Sequence, residues 1–168
     1  MHNWLCNCCG EKHEELPLHY GAEAPALYYR IPANEVAVRC EINRDLCVID
    51  EKYFFIVGNL EIPIIGSDEF FSWDVWVSLS ASNFIRACEL WENSEREKEP
   101  PYFGWLSTSL PGYPETLSLK TNVHTRDPGV RPFIELEPTD HQLAIEQRTG
   151  ISWERVQEIA EIVLHNQQ

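Results

Sequence analysis

Residues 71–80, FSWDVWVSLS, leave the chain little freedom. Alternation puts Phe71, Trp73, Val75, Val77 and Leu79 on one side of an extended segment and Trp76 on the other. A strand with aromatic bulk on both faces has to be covered on both, so this one is predicted to run through the middle of a sheet. The chain has 168 residues, enough for one domain with a substantial core and too few for two.

The rest of the sequence is read around that strand. VAVRCEI (36–42) alternates, with Val36, Val38, Cys40 and Ile42 on one face, and ALYYRIP (26–32) reads as a strand or a strap. YFFIV and LEIPII flank Gly58-Asn59, a two-residue hairpin signal, and Pro63 marks an edge or an interruption. Ser80 or Ser82 can cap a helix carrying Phe84, Cys88 and Trp91 on one stripe, which assigns Cys88 to the core. SEREKEPP (94–101) reads as a solvated charged loop. YFGWLSTSL, TLSLKTNVHT and RPFIELE read as three further strands, joined by LPGYPE and RDPG turns. Two helices are predicted over 139–165. The first is capped at Thr139 or Asp140 and stopped at Gly150; the second starts at Ser152 and carries Trp153, Val156, Ile159, Ala160 and Val163 on one face.

The sum is a single α+β domain over 1–168, with a mostly antiparallel sheet and C-terminal helices. A Cys-rich, zinc-knuckle-like segment (1–20) is expected to pack on the sheet.

LCNCCGEKH (5–13) carries the sharpest chemistry. Cys6-x-x-Cys9-Gly10 has the spacing of a zinc half-site: two thiolates three positions apart meet one ion only across a tight turn, which the glycine eases. Cys8 lies inside that turn and is expected to point away. His13, Cys40 and Cys47 are the candidates to complete the set. Cys40 falls on an apolar strand face, whereas Cys47 in RDLCVID follows a polar connection. The leading set is Cys6, Cys9, His13 and Cys47 around a structural zinc, with Cys40 in place of His13 as the alternative. The competing reading is a group of reduced thiols without metal.

The charge of −14 repels phosphate backbones and anionic lipid, so nucleic-acid and membrane partners are not expected; a basic protein partner is compatible. No segment is apolar over the length of a membrane span and the start has no basic leader, so a cytoplasmic location is expected. In a reducing compartment six cysteines read as ligands or buried thiols.

The sequence contains no hydrolase elbow, Walker loop, H-E-x-x-H or G-x-G-x-x-G. The lead expectation is a non-enzymatic protein-binding domain of immunity or inhibitor type, using Trp76, Tyr102 and Trp105 as aromatic anchors. The alternative is an enzyme or small-ligand binder whose pocket gathers His124, Arg126, Arg131 and His141. Against that alternative, Lys120, His124 and Arg126 share one strand face that Glu135 and Glu137 can balance.

CNCCGEKH, RDLCVID, LEIPIIG, WDVWVSLS, PPYFGWLSTSLPGYPETLSLKTNVHTR and RPFIELEPTDHQLAIEQRTGIS follow one another from about residue 6 onward. In these the chain resembles an uncharacterised bacterial family, domain of unknown function 2199. The resemblance implies a shared pattern of Cys-x-x-Cys-Gly, a following His and an Asp-x-Cys. These fall on Cys6, Cys9, His13 and Cys47, while Cys8 and Cys40 lie outside it. It implies no catalytic residues.

Overall fold

Gly58 and Asn59 do not turn the chain. The computed structural model describes residues 3–165, and in it Tyr53–Pro63 is one continuous eleven-residue strand. A Cβ on Gly58 would stand 2.5 Å from Ile134 Cδ1 and 2.7 Å from the Pro132 carbonyl, so the glycine serves the close approach of another strand. A hairpin signal and a strand-contact signal look the same in one sequence.

In chain order the elements are β1 (Trp4–Leu5), β2 (Lys12–His13), β3 (His19–Gly21), a 3-10 helix (Ala26–Arg30), α1 (Val36–Arg39), β4 (Cys40–Ile42), β5 (Leu46–Ile49) and β6 (Tyr53–Pro63). Then come β7 (Phe70–Leu79), α2 (Ala81–Glu89), β8 (Tyr102–Leu106), β9 (Lys120–His124), β10 (Phe133–Leu136), α3 (Gln142–Thr149) and α4 (Trp153–His165). The stretch 26–32 is thus mostly helical, and 36–42 splits between a helical turn and a short strand. Four residues of alternation are too few to separate the two periods.

β6 and β7 form a long antiparallel hairpin, from Phe54 opposite Leu79 to Pro63 opposite Phe70. β8, β9 and β10 continue antiparallel from β7, and β10 returns to β6 in parallel, with the Asn59 N–H donating to the Pro132 carbonyl at 2.8 Å. These five strands close a barrel. Both long strands change neighbours midway. β6 pairs with β5 over Tyr53–Ile56 before it meets β10, and β7 pairs with β3 over Ser72–Asp74 before it meets β8.

The alternation along β7 divides two cores as expected. Phe71, Trp73, Val75, Val77 and Leu79 fill the barrel with Leu60, Ile62 and Ile134, sealed by Leu143, Val156 and Ile159 of α3 and α4. Trp76 faces outward with Val57, Phe55, Cys47 and Ile49, under Leu27, Tyr28, Ile31 and Val36. Burying one such large side chain contributes roughly 2 kcal/mol.

Three local readings are corrected. Ser80 does cap α2, accepting the Asn83 N–H, and Phe84 is buried, but Cys88 is exposed. SEREKEPP is not merely solvated: Arg96 is 6% exposed and donates to the carbonyls of Arg126, Asp127, Val130 and Trp91. α3 is capped by His141, whose Nδ1 accepts the Leu143 N–H; Gly150 ends the helix as expected. Ser152 Oγ accepts the Arg155 N–H at the start of α4.

Candidate metal centre and an outer-face cavity

β1 and β2 pair antiparallel, Trp4 opposite His13 and Leu5 opposite Lys12, and the Cys turn links them. Its geometry comes from two bonds: Cys6 N–H to the Glu11 carbonyl and Gly10 N–H to the Cys6 carbonyl, both 2.9 Å. Gly10 sits at φ 72°, the left-handed conformation the turn requires. This hairpin rests on α4 rather than on the sheet. Trp4 and Cys6 pack against Ala160, Gln157 donates to the Leu5 carbonyl, and Glu161 accepts the Asn7 N–H.

Ligating atoms from both ends of the fold meet there. Cys6, Cys9 and His13 form one group within 4.8 Å, and Cys6, Cys8 and His165 form another. Cys9 Sγ lies 3.7 Å from His13 Nε2, and Cys6 Sγ lies 3.1 Å from His165 Nε2. The Trp4 ring stacks on His13 at 4.6 Å and orients it. The arrangement can hold a metal ion.

The electrostatics single out Cys6. Burial pushes its thiol up, but the Cys9 and Cys8 N–H groups and the His165 ring outweigh that and bring it down to about 6. Cys8 is pushed up by burial and by the charge on Cys6. Cys9 is drawn down by the Glu11 N–H and pushed up more strongly by burial and Cys6. One thiolate among three adjacent sulfurs is what like-charge repulsion allows without a cation.

Cys47, expected as the fourth ligand, is elsewhere. It is fully buried in the outer core between Ile49, Phe55 and Val57, and burial pushes its thiol up to about 12. Cys40 packs against the same cluster. On β5 the alternation Leu46, Cys47, Val48, Ile49 turns Cys47 with Ile49 into the apolar layer, which a polar connection upstream does not reveal. The residue missed is His165. It stands at the end of α4, whose buried stripe of Val156, Ile159 and Ala160 anchors the helix, and its only signal was a ligating side chain at a helix end.

The other expected site residues scatter. His124 pairs with Glu135 at 3.1 Å; Arg126 pairs with Glu61 at 3.0 Å and lies over the Phe133 ring. His141 caps α3 and meets the Glu115 carbonyl at 3.0 Å. Of the strip, only His124 meets an expected balancing partner, Glu135, while Arg126 pairs with Glu61 instead, and these residues do not converge. Trp76 and Tyr102 are buried, 1% and 7% exposed, while Trp105 is 43% exposed.

Arg131 and the buried Trp76 both border a large cavity, of about 630 Å³, on the outer face where β3 lies beside β7. Asp74, at its wall, accepts from Arg131 at 2.7 Å and from Asn59, and meets His19 Nε2 at 3.0 Å. His19 Nδ1 lies 2.6 Å from Ser72 Oγ, and Gly21 lets β3 pass close to Asp74. Arg131 also reaches Asp45 at 3.2 Å and the Arg44 carbonyl at 3.0 Å.

An α+β barrel with a Cys/His group at its N-terminal hairpin is the class of protein these features define. The chain belongs to DUF2199, uncharacterized protein conserved in bacteria, whose family model matches residues 5–151. The match includes Cys6, Cys9 and His13 and ends before α4. Comparison with curated proteins and with solved structures gives no match. Among the described residues, no helix is long and apolar enough to cross a membrane.

Proposed function

We propose that this chain is a non-enzymatic binding domain whose N-terminal hairpin is fixed to the closing helix by a structural zinc ion. The observation that carries the metal is that two groups of ligating atoms, Cys6 with Cys9 and His13 and Cys6 with Cys8 and His165, share the Cys6 sulfur, with His165 159 residues from Cys6. A tetrahedral zinc with sulfur about 2.3 Å and nitrogen about 2.0 Å away sets the two about 3.5 Å apart. The Cys6–His165 and Cys9–His13 separations, 3.1 and 3.7 Å, bracket that. Cys6, Cys9 and His13 would supply three ligands, and His165, beside the Cys6 sulfur, is the candidate for the fourth position that a structural site fills. The chemistry supplied is stability: the ion neutralises neighbouring thiolates and links segments that share little apolar surface.

The binding role rests on the surface. Trp105 and Phe103 form an exposed edge-to-face pair on β8, and the charge of −14 suits a basic protein rather than nucleic acid or an anionic membrane.

Cobalt(II) substitution tests the centre. Thiolate-to-cobalt bands and tetrahedral d–d bands are expected, and lost in Cys6→Ser; bands unchanged in that variant would remove the assignment. Affinity capture from the source bacterium tests the partner. A protein retained by the wild type and lost with Trp105→Ala supports the binding reading, and equal recovery with both contradicts the use of this face.

A further inference from the structure

The cavity on the outer face is built independently of the metal centre and of the β8 aromatic pair. Trp76 and Val57 close its base from beneath, and Tyr29, 65% exposed, and the half-buried Tyr28 give it accessible aromatic surface around about 630 Å³, within the size range of small-molecule sites. Its wall is held rigidly. Asp74 is fixed by Arg131, Asn59 and His19, and Arg131 in turn fixes the Arg44 backbone. Arg96 then locks the segment before Arg131 by taking the Arg126, Asp127 and Val130 carbonyls. Three layers of polar support around one void exceed what strand pairing needs, and they are what a preorganised site requires.

Charge bookkeeping gives the ligand class. Asp74 and Asp45 are both held by Arg131, and both nitrogens of His19 have partners, so these groups are engaged. Two charged residues of the lining have no side-chain hydrogen bond or ion pair among the described residues: Arg44 and Glu23. They are of opposite sign and both exposed. An anion alone would answer Arg44 and meet Glu23; a cation alone would do the reverse. A molecule carrying both charges satisfies both, and a flat apolar body suits the paired rings of Tyr28 and Tyr29 in the lining.

We infer that this cavity binds a small zwitterion with a flat side chain, an aromatic amino acid or short peptide of that kind. Its carboxylate pairs with Arg44, its ammonium with Glu23, and its ring lies against Tyr28 and Tyr29.

Calorimetric titration of the full chain tests this, with L-tryptophan and glycyl-L-tryptophan as zwitterions, N-acetyl-L-tryptophan as the anion and tryptamine as the cation. Saturable binding at about 1 mM or tighter is expected for at least one zwitterion, with both singly charged probes weaker by about tenfold. Arg44→Ala is expected to weaken the zwitterion about tenfold and to make the tryptamine affinity no worse. Since Arg44 is exposed and its side chain is unbonded, the melting temperature should not move. No saturation by either zwitterion, equal affinity for all four probes, or an Arg44→Ala chain that binds as the wild type does would each overturn the inference.

Discussion

Cys6 and Cys47 are both almost fully buried, yet burial means different things in the two places. Cys47 lies among Ile49, Phe55 and Val57, where the surroundings favour the neutral thiol and raise it to about 12. Cys6 lies beneath a two-strand hairpin, and the N–H groups of Cys8 and Cys9 and the His165 ring favour its thiolate, at about 6. The outer core excludes charge; the hairpin collects it. The apolar contacts differ as sharply. The barrel interior gathers side chains from β6, β7, β10 and two helices, whereas the hairpin adds only Trp4 and Cys6 against Ala160. A barrel of that kind is stable through area removed from water, and a hairpin so poor in area is where a cross-link would contribute most.

The largest effect belongs on the barrel side. Trp76→Ala empties the outer core and is expected to cost roughly 4 kcal/mol in denaturant unfolding, with the metal content of the surviving fold unchanged. Metal lost in parallel with stability would join the two regions that the comparison separates.

Arg96→Ala is expected to come next, at about 3 kcal/mol, because it leaves four carbonyls without their donor at a 6% exposed position. The same variant should loosen the segment carrying Arg131, read as faster hydrogen exchange at residues 126–132. A change confined to global stability, with exchange there unaltered, would argue that Arg96 only fills space.

Chelation should have the smallest global effect and the sharpest local one. Limited proteolysis after metal removal is expected to cleave within residues 3–18 while the barrel stays resistant. Equal resistance with and without chelator would place the hairpin's stability in its protein contacts.

The sequence made the barrel strands legible because long alternation is hard to produce in another way: β7, β9 and β10 fall where the pattern puts them, and so do Gly150 and Ser152 at the helix ends. Short or dual-purpose signals misled. Gly58-Asn59 has turn chemistry and strand geometry at once, and only the nearness of Ile134 and Pro132 decides between them. Three residues that could hold a metal ion, Cys6, Cys9 and His13, could be read locally because a tight turn is a local event. The contact with His165 depends on how α4 lies against β1, which no spacing in the chain records. The cavity was hidden for the same reason. Asp74, His19 and Arg131 are scattered in sequence and meet only because both long strands change partners midway.

The hairpin's cysteines, and not Cys47, are proposed to hold the metal. Elemental analysis of protein purified without chelator tests it most directly, on the wild type, Cys6→Ser and Cys47→Ala. The metal clip predicts about one zinc per chain in the wild type and in Cys47→Ala, and a small fraction of that in Cys6→Ser. Zinc well below one per chain in the wild type, or its loss in Cys47→Ala with retention in Cys6→Ser, would contradict it.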